Sequence, residues 1–344
     1  MARSAGRTRP VIKDVAKLAG VSAPTVSRYL NGTVNVTEDK RERIAKAIKE
    51  LGYEARALSN REMDSVVVFA ANPSAFSTSE TNHGVEAAAR KRRFLLNIVS
   101  LDESDMDSVK ARVRMGLSIR PAGVIVYEYD RAGIAALEYI PKDMPMVVVG
   151  GSFGDGEYQV INAERDGGRW MTMHLLDLGH RTVFHVGRPE GPTDNTRTNG
   201  WRDALKERGV TAPDPIIVPD DDLEESVKAG RTLGRRGDVT AIFAGNDETA
   251  IAVIRGLREV GRRVPADVSV VGFDDRNFGA MWNPALTSYT QNFLDMGERS
   301  FRMLFEQIQA KRAGDDAPPS QVEVVQGKPC LRASERAYGD GEIA

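Results

Sequence analysis

Three amphipathic stretches open the chain. Ile12, Val15, Ala16 and Ala19 recur at helical spacing, so a helix over residues 12–19 would carry one apolar face. Gly20-Val21 interrupts it, and Ser22 is placed to cap a second helix over residues 23–30 with Val26 and Leu30 on its inner side. Pro24 falls in the first turn of that helix, where its missing N–H costs no intrahelical bond. Asn31-Gly32 ends it. Thr37 heads a third pattern, with Glu38 and Asp39 at its positive end, Ile44, Ala47, Ile48 and Leu51 on one face, and Gly52 as its stop. Three short helices with Gly20 in the tight turn between the first two predict a helix-turn-helix unit.

From Ser65 the texture changes. Short apolar runs at 66–69, 95–99, 123–127, 146–149, 181–186, 241–244 and 268–271 read as strands. They alternate with helical patterns at 84–92, 131–139, 201–208 and 249–260. Such alternation predicts an α/β domain of parallel sheets with helices on both faces. Ligands of these sheets bind beyond the carboxyl ends of the strands.

Charge sharpens the division. Residues 1–62 carry 13 Lys and Arg against 7 Asp and Glu, whereas the rest carries 34 against 42, so a net charge of −2 hides a basic N-terminal end. That asymmetry is the footprint of a polyanion-binding module. No apolar run approaches the roughly 18 residues of a membrane span, and the basic start lacks the apolar stretch of a secretory signal. A lone cysteine, Cys330, excludes an internal disulfide framework and fits a reducing, cytoplasmic setting as a packed thiol in a late strand. The four histidines show no metal-ligand spacing, and neither a phosphate loop nor a nucleophile elbow is present, so no metal, cofactor or catalytic residue is expected.

The run from Asp14 to Gly32, Asp-Val-Ala-Lys-Leu-Ala-Gly-Val-Ser-Ala-Pro-Thr-Val-Ser-Arg-Tyr-Leu-Asn-Gly, resembles the signature of the lactose-repressor/galactose-repressor family. The resemblance implies that the second helix enters the major groove of operator DNA, with Ser22 at its start and Ala23, Pro24 and Arg28 facing base edges. Thr25, Ser27 and Asn31 would bond phosphates. A guanidinium pairing bidentately with guanine discriminates by about 1–3 kcal/mol. Ala23 and Pro24 offer only apolar contact, so Arg28 would carry most of the hydrogen-bond readout. Val11 stands where the family usually places a threonine, which removes a capping hydroxyl.

In the family, the segment after the third helix folds on DNA and wedges a leucine into the minor groove. Here Gly52-Tyr53 leads into Glu54-Ala55-Arg56-Ala57-Leu58. With a gap of about four residues, Leu58 is the lever and Tyr53 lies beside the DNA; without it, Glu62 takes the lever position. A carboxylate in a minor groove is electrostatically unfavourable, so the gapped alignment is preferred. The hinge, 54–64, is then short.

Later stretches resemble the family's effector domain, itself similar to periplasmic sugar-binding proteins. They include Arg197-Thr198-Asn199-Gly200-Trp201, the run 241–247 ending in Asn246-Asp247, and the run 264–275 ending in Asp274-Asp275. The resemblance implies two lobes, 65–162 plus 291–321 and 163–290 plus 322–340, after a DNA-binding domain over 10–53. It assigns ligand contact to Arg197, Asn246, Asp274 and Gln291, with Phe76 and Phe293 as stacking faces. Asp247 and Asp275 read equally well as helix caps. Asp220-Asp221-Asp222 replaces an aromatic that relatives offer to a sugar ring, and Gly150-Gly151 stands where some place a polar contact.

The expectation is a transcriptional regulator that binds a pseudo-palindromic operator as a homodimer and responds to a small polar effector, a sugar or sugar derivative. The residues after Ser334 show no heptads, which argues against a tetramer. Two alternatives stand beside it: a ligand sensor whose short hinge impairs operator binding, and a sugar-modifying enzyme. A mobility shift with a palindromic operator separates the first, and product analysis the second.

Overall fold

A computed structural model describes residues 10–30, 36–51, 63–102, 104–151, 158–189, 193–219 and 222–339. The chain divides into two compact units, Met1–Met63 and Asp64–Ala344.

The first unit holds helices α1 (Ile12–Ala19), α2 (Ala23–Leu30) and α3 (Glu38–Leu51). Val15, Ala16, Ala19, Val26, Val36, Ile44 and Ala47 form its core. Gly20 takes the left-handed conformation (φ 63°) that closes α1, a geometry favouring glycine. Val11 has no side-chain cap to offer, and the Asp14 carboxylate accepts the Val11 N–H at 2.8 Å instead. At the start of α2 the Ser22 hydroxyl pairs with that of Thr25 at 2.8 Å, while the Ser22 carbonyl accepts from Thr25 and Val26 amides. The expected capping by the hydroxyl is thus replaced by a hydroxyl pair.

The second unit runs β1 (Ser65–Ala70), α4 (Phe76–Lys91), β2 (Leu95–Ser100), α5 (Met106–Ser118), β3 (Gly123–Tyr127), α6 (Arg131–Leu137) and β4 (Met146–Val149). It continues through β5 (Gln159–Asn162), α7 (Glu164–Asp177), β6 (Phe184–Gly187), α8 (Arg197–Glu207), β7 (Ile216–Ile217) and α9 (Leu223–Gly234). Next come β8 (Ala241–Ala244), α10 (Asp247–Glu259), β9 (Ser269–Val271), α11 (Asn277–Met281) and β10 (Ser288–Thr290). The chain closes with α12 (Phe293–Ala313), β11 (Val322–Val325) and β12 (Lys328–Cys330).

One lobe is a parallel six-stranded sheet in the order β11-β5-β4-β3-β1-β2, and the other a parallel four-stranded sheet, β7-β6-β8-β9. β10 and β12 form a small antiparallel ribbon. Alternate residues of β1 face opposite ways: Val66 and Val68 join the core beneath α4 and α12, Val67 and Phe69 that beneath α5 and α6. In the second lobe Trp201 is fully buried and donates its indole N–H to the Val183 carbonyl at 2.8 Å. No helix among the described residues is long and apolar enough to cross a membrane.

The expected lobe boundary at 321/322 needs correction. β11 pairs with β5 in the first lobe's sheet, and Val325 is buried in that lobe's core. The reason is the open edge of β5, whose backbone groups a further strand satisfies. The chain returns to the second lobe only with β12.

Candidate functional site

Among the described residues, α2 exposes Ser22, Pro24 and Arg28, with Ala23, Thr25 and Ser27 half-buried beside them. Arg28 has no side-chain partner there. Asn31, Tyr53 and Leu58 lie outside the described residues, as does the hinge over 54–62.

The effector candidates gather at the carboxyl ends of the strands. Arg197 opens α8, where Thr196 caps the helix by accepting the Asn199 N–H at 3.1 Å. Its guanidinium donates to the Gly245 carbonyl at 2.5 Å and to Glu164 Oε1 at 3.1 Å, and lies 3.0 Å from Asp274 Oδ1. It also stacks 4.2 Å over the Phe273 ring. Burial alone would lower its pKa; the charges of Asp274 and Glu164 outweigh that and raise it. One donor is left over, because the buried Nε has no hydrogen-bond partner. The buried Asn162 Oδ1, at the end of β5, likewise has none.

Asp274 follows β9 with φ 91°, a strained conformation for a residue with a side chain. Gln291 Nε2 donates to its Oδ1 at 2.7 Å. Asn246 behaves differently from Arg197, Asp274 and Gln291: its Oδ1 accepts the Thr249 N–H at 2.8 Å and caps α10. Asp247 and Asp275 cap nothing. Burial lifts the Asp247 carboxyl to about 7, against the Ser288 hydroxyl at 2.6 Å and the Arg276 amide at 2.5 Å. Asp275, despite partial burial, sits below the usual carboxylate range because Thr290 and Arg332 donate to it at 2.7 and 2.6 Å. Together they pin the α11 loop to the terminal ribbon, where half-buried Cys330 meets the Thr290 hydroxyl at 2.8 Å.

The first lobe contributes Phe76, Phe293 and Tyr129. Phe76 meets the buried Phe293 edge-on, with centroids 5.8 Å apart. Arg276 of the second lobe lies 4.0 Å over the Phe76 ring while pairing with Glu248 at 2.7 Å, so this contact joins the lobes. Tyr129 packs on Gly150, where a β-carbon would come within 2.3 Å of its ring. Tyr129 as a whole is 37% exposed, with its hydroxyl 3.5 Å from Met296 Sδ, and burial, followed by the Glu164 charge, raises its pKa. Asp220 and Asp221 are outside the described residues, and Asp222 caps α9.

Sequence reasoning passes over Glu164, Arg276 and Tyr129. A clue existed for Glu164: an acid opening a helix right after a strand. Two hollows of about 410 and 450 Å³ lie elsewhere, beside His180 and Asp267 and beside Lys142 and Gln307. Their polar groups are largely paired with one another, so the convergence of side chains at the rim, not hollow size, marks the candidate site. His185 is an interior group, bonded to the Phe243 carbonyl and Thr198 at 2.8 and 2.9 Å and lowered by burial to about 4. Among the described residues no three His, Cys, Asp or Glu side chains are placed to share a metal ion.

Comparison with known proteins agrees with this layout. The family described as "Bacterial regulatory proteins, lacI family" matches residues 11–55, and a "Periplasmic binding protein-like domain" matches 172–334. The transcriptional regulator CelR of Thermobifida fusca is 33% identical over 323 residues, covering 88% of this chain and 93% of that protein. The HTH-type transcriptional repressor PurR of Proteus mirabilis is 34% identical over 322 residues, covering 90% and 93%. A solved CelR–cellobiose complex superimposes with a TM-score of 0.67 at 29% identity, covering 95% of this chain and all of that one. A lac repressor dimer bound to operator, at 24% identity and TM-score 0.75 over 96% of this chain and all of that one, shares the fold. The chain belongs to the LacI family of bacterial transcriptional regulators.

Proposed function

We propose that this regulator is a cytoplasmic homodimeric repressor whose grip on a pseudo-palindromic operator is set by an uncharged polyhydroxylated ligand, a sugar or sugar derivative, held between the lobes. In this reading residues 10–53 bind DNA, 54–64 form a short hinge, and 65–340 bind the effector. The supporting observation is the enclosed Arg197, shared by Asp274, Glu164 and the Gly245 carbonyl with Gln291 alongside. Such groups can bond several hydroxyls at fixed geometry. Two carboxylates face one guanidinium, and Arg276 is already matched by Glu248, so the rim disfavours an anion. Neutral sugars should therefore bind ahead of sugar phosphates.

A thermal-shift screen of sugars, sugar phosphates and nucleosides tests this, since a ligand specific to the folded state raises its stability by mass action. Gln291→Ala should weaken the shift by roughly tenfold in ligand concentration, the worth of one hydrogen bond. Selective stabilisation by sugar phosphates, with Gln291→Ala indistinguishable from wild type, would move the site elsewhere.

A further inference from the structure

Each helix of a parallel α/β unit returns the chain to the amino ends of the strands, the end at which this unit begins with Asp64 and β1. Several of these turns pass through a left-handed residue two positions after the helix. In the second lobe that residue is glycine: Gly179 after α7, Gly209 after α8 and Gly261 after α10. In the first lobe it is arginine, Arg93 (φ 62°) after α4 and Arg120 (φ 54°) after α5. A β-carbon is disfavoured in this conformation, so both arginines stand against backbone preference.

Both side chains are exposed, and neither has a partner among the described residues. Arg93 ends the run Arg90-Lys91-Arg92-Arg93. The nearby acids are occupied: Glu86 pairs with Arg90, Glu298 with Lys91 and Asp64 with Arg312. Arg92 stacks 4.8 Å over Phe305, its charge unmatched among the described residues. The acidic pair Asp315-Asp316 follows α12, where Asp315 and Lys142 line the same hollow. The turns lead into β2 and β3, which lie on either side of β1, roughly 10 Å apart at ordinary strand spacing. The unmatched cations thus flank the strand by which the chain arrives from its helix-turn-helix unit.

We propose that this amino-end face of the first lobe contacts duplex DNA through phosphates, adding a sequence-independent grip to that of α2. The proposal rests on the DNA-binding reading of the chain but on residues that reading does not use. Guanidinium forks suit phosphate oxygens. Neutralising phosphates releases counterions, so the signature is salt dependence.

The test uses the full-length protein and a mixed-sequence duplex, with anisotropy titrations from roughly 50 to 200 mM KCl. The double variant Arg93→Gly/Arg120→Gly suits both turns, and its unfolding midpoint should match or exceed that of wild type. Its slope of log affinity against log salt should be shallower by about two for each protomer bound, so by up to about four for the homodimer, with binding at least about tenfold weaker at the lowest salt. An unchanged slope overturns the proposal. Arg28→Ala, titrated against an operator duplex, separates the two failures. If Arg28→Ala weakens binding and the double variant does not, only this proposal falls; if wild type binds no duplex, the DNA reading falls with it. Lost affinity for phosphatidylserine vesicles with an unchanged DNA slope would assign the face to lipid and also overturn it.

Discussion

The two lobes share one construction and carry opposite rims. The second lobe's rim is a network of buried charge, with Arg197 held by Asp274 and backed by Phe273. The first lobe's rim is aromatic and glycine-rich, with Phe76 packed on the buried Phe293, Tyr129, and the left-handed Gly150 and Gly151. Burying paired charges contributes little net stability compared with apolar packing. The second lobe therefore carries a rim that folding does not require, as expected where polar recognition is held ready. The first lobe offers a surface that can close on it, and Arg276 stacked on Phe76 already bridges the two.

Asp274→Ala should produce the largest effect. It leaves Arg197 with Glu164 as its only carboxylate partner and Gln291 Nε2 without its acceptor. Breaking a buried pair from one side costs about 3–5 kcal/mol, measurable by urea unfolding. A loss below about 1 kcal/mol would mean that water reaches the guanidinium, and the contrast between rims would weaken. Gly150→Ala strikes the other rim, placing a β-carbon against the Tyr129 ring at φ 82°. It should cost about 1–3 kcal/mol. An unchanged midpoint would show that Tyr129 swings away freely.

A pH experiment isolates the second lobe. Asp247, raised to about 7, contributes stability that is complete below 3.8 and lost as pH rises through 7. His185, lowered to about 4, contributes stability that is complete above 6.5 and lost as pH falls through 4. The two slopes oppose each other between them. Asp247→Asn removes one acceptor at every pH, but it should also expose the His185 slope, so stability falls more steeply than wild type from pH 6.5 to 4. Parallel profiles would show that Asp247 titrates as an ordinary carboxylate. The smallest effect is expected from Phe76→Leu, which gives up the contacts with Arg276 and Phe293 at about 0.5–1.5 kcal/mol. An equal loss in an Arg276→Ala background would deny the bridge.

Much of the fold was legible where apolar runs end abruptly. The strands at 123–127, 146–149 and 241–244 stand where those runs predict them. α4 begins eight residues before the expected 84 because its first half buries polar groups. Thr78, Thr81 and Asn82 are buried, and Asn82 accepts the Tyr127 hydroxyl at 2.7 Å, so no apolar period reports them. The sheet that β11 joins is a tertiary choice between two edges. At the site, Asp274 could be singled out by its place after a strand, Arg197 by its place before a helix at the same rim and Gln291 by the family resemblance alone, and the three do meet. Arg276 could not, because an arginine after two aspartates reads as loop until Phe76 is seen beneath it. The face carrying Arg93 and Arg120 was hidden for a related reason: a basic residue closing a helix looks like ordinary dipole complementation until its backbone is known to be left-handed.

The central claim is that occupancy of the charged rim is felt at the operator. The direct measurement is operator affinity of the full-length protein at one fixed salt concentration, with and without a saturating sugar identified by thermal shift. Wild type should change its affinity by roughly 5- to 150-fold, the usual range of allosteric coupling, and Gln291→Ala should need more ligand to reach the same change. A sugar that stabilises the effector unit yet leaves operator affinity unchanged would contradict the account.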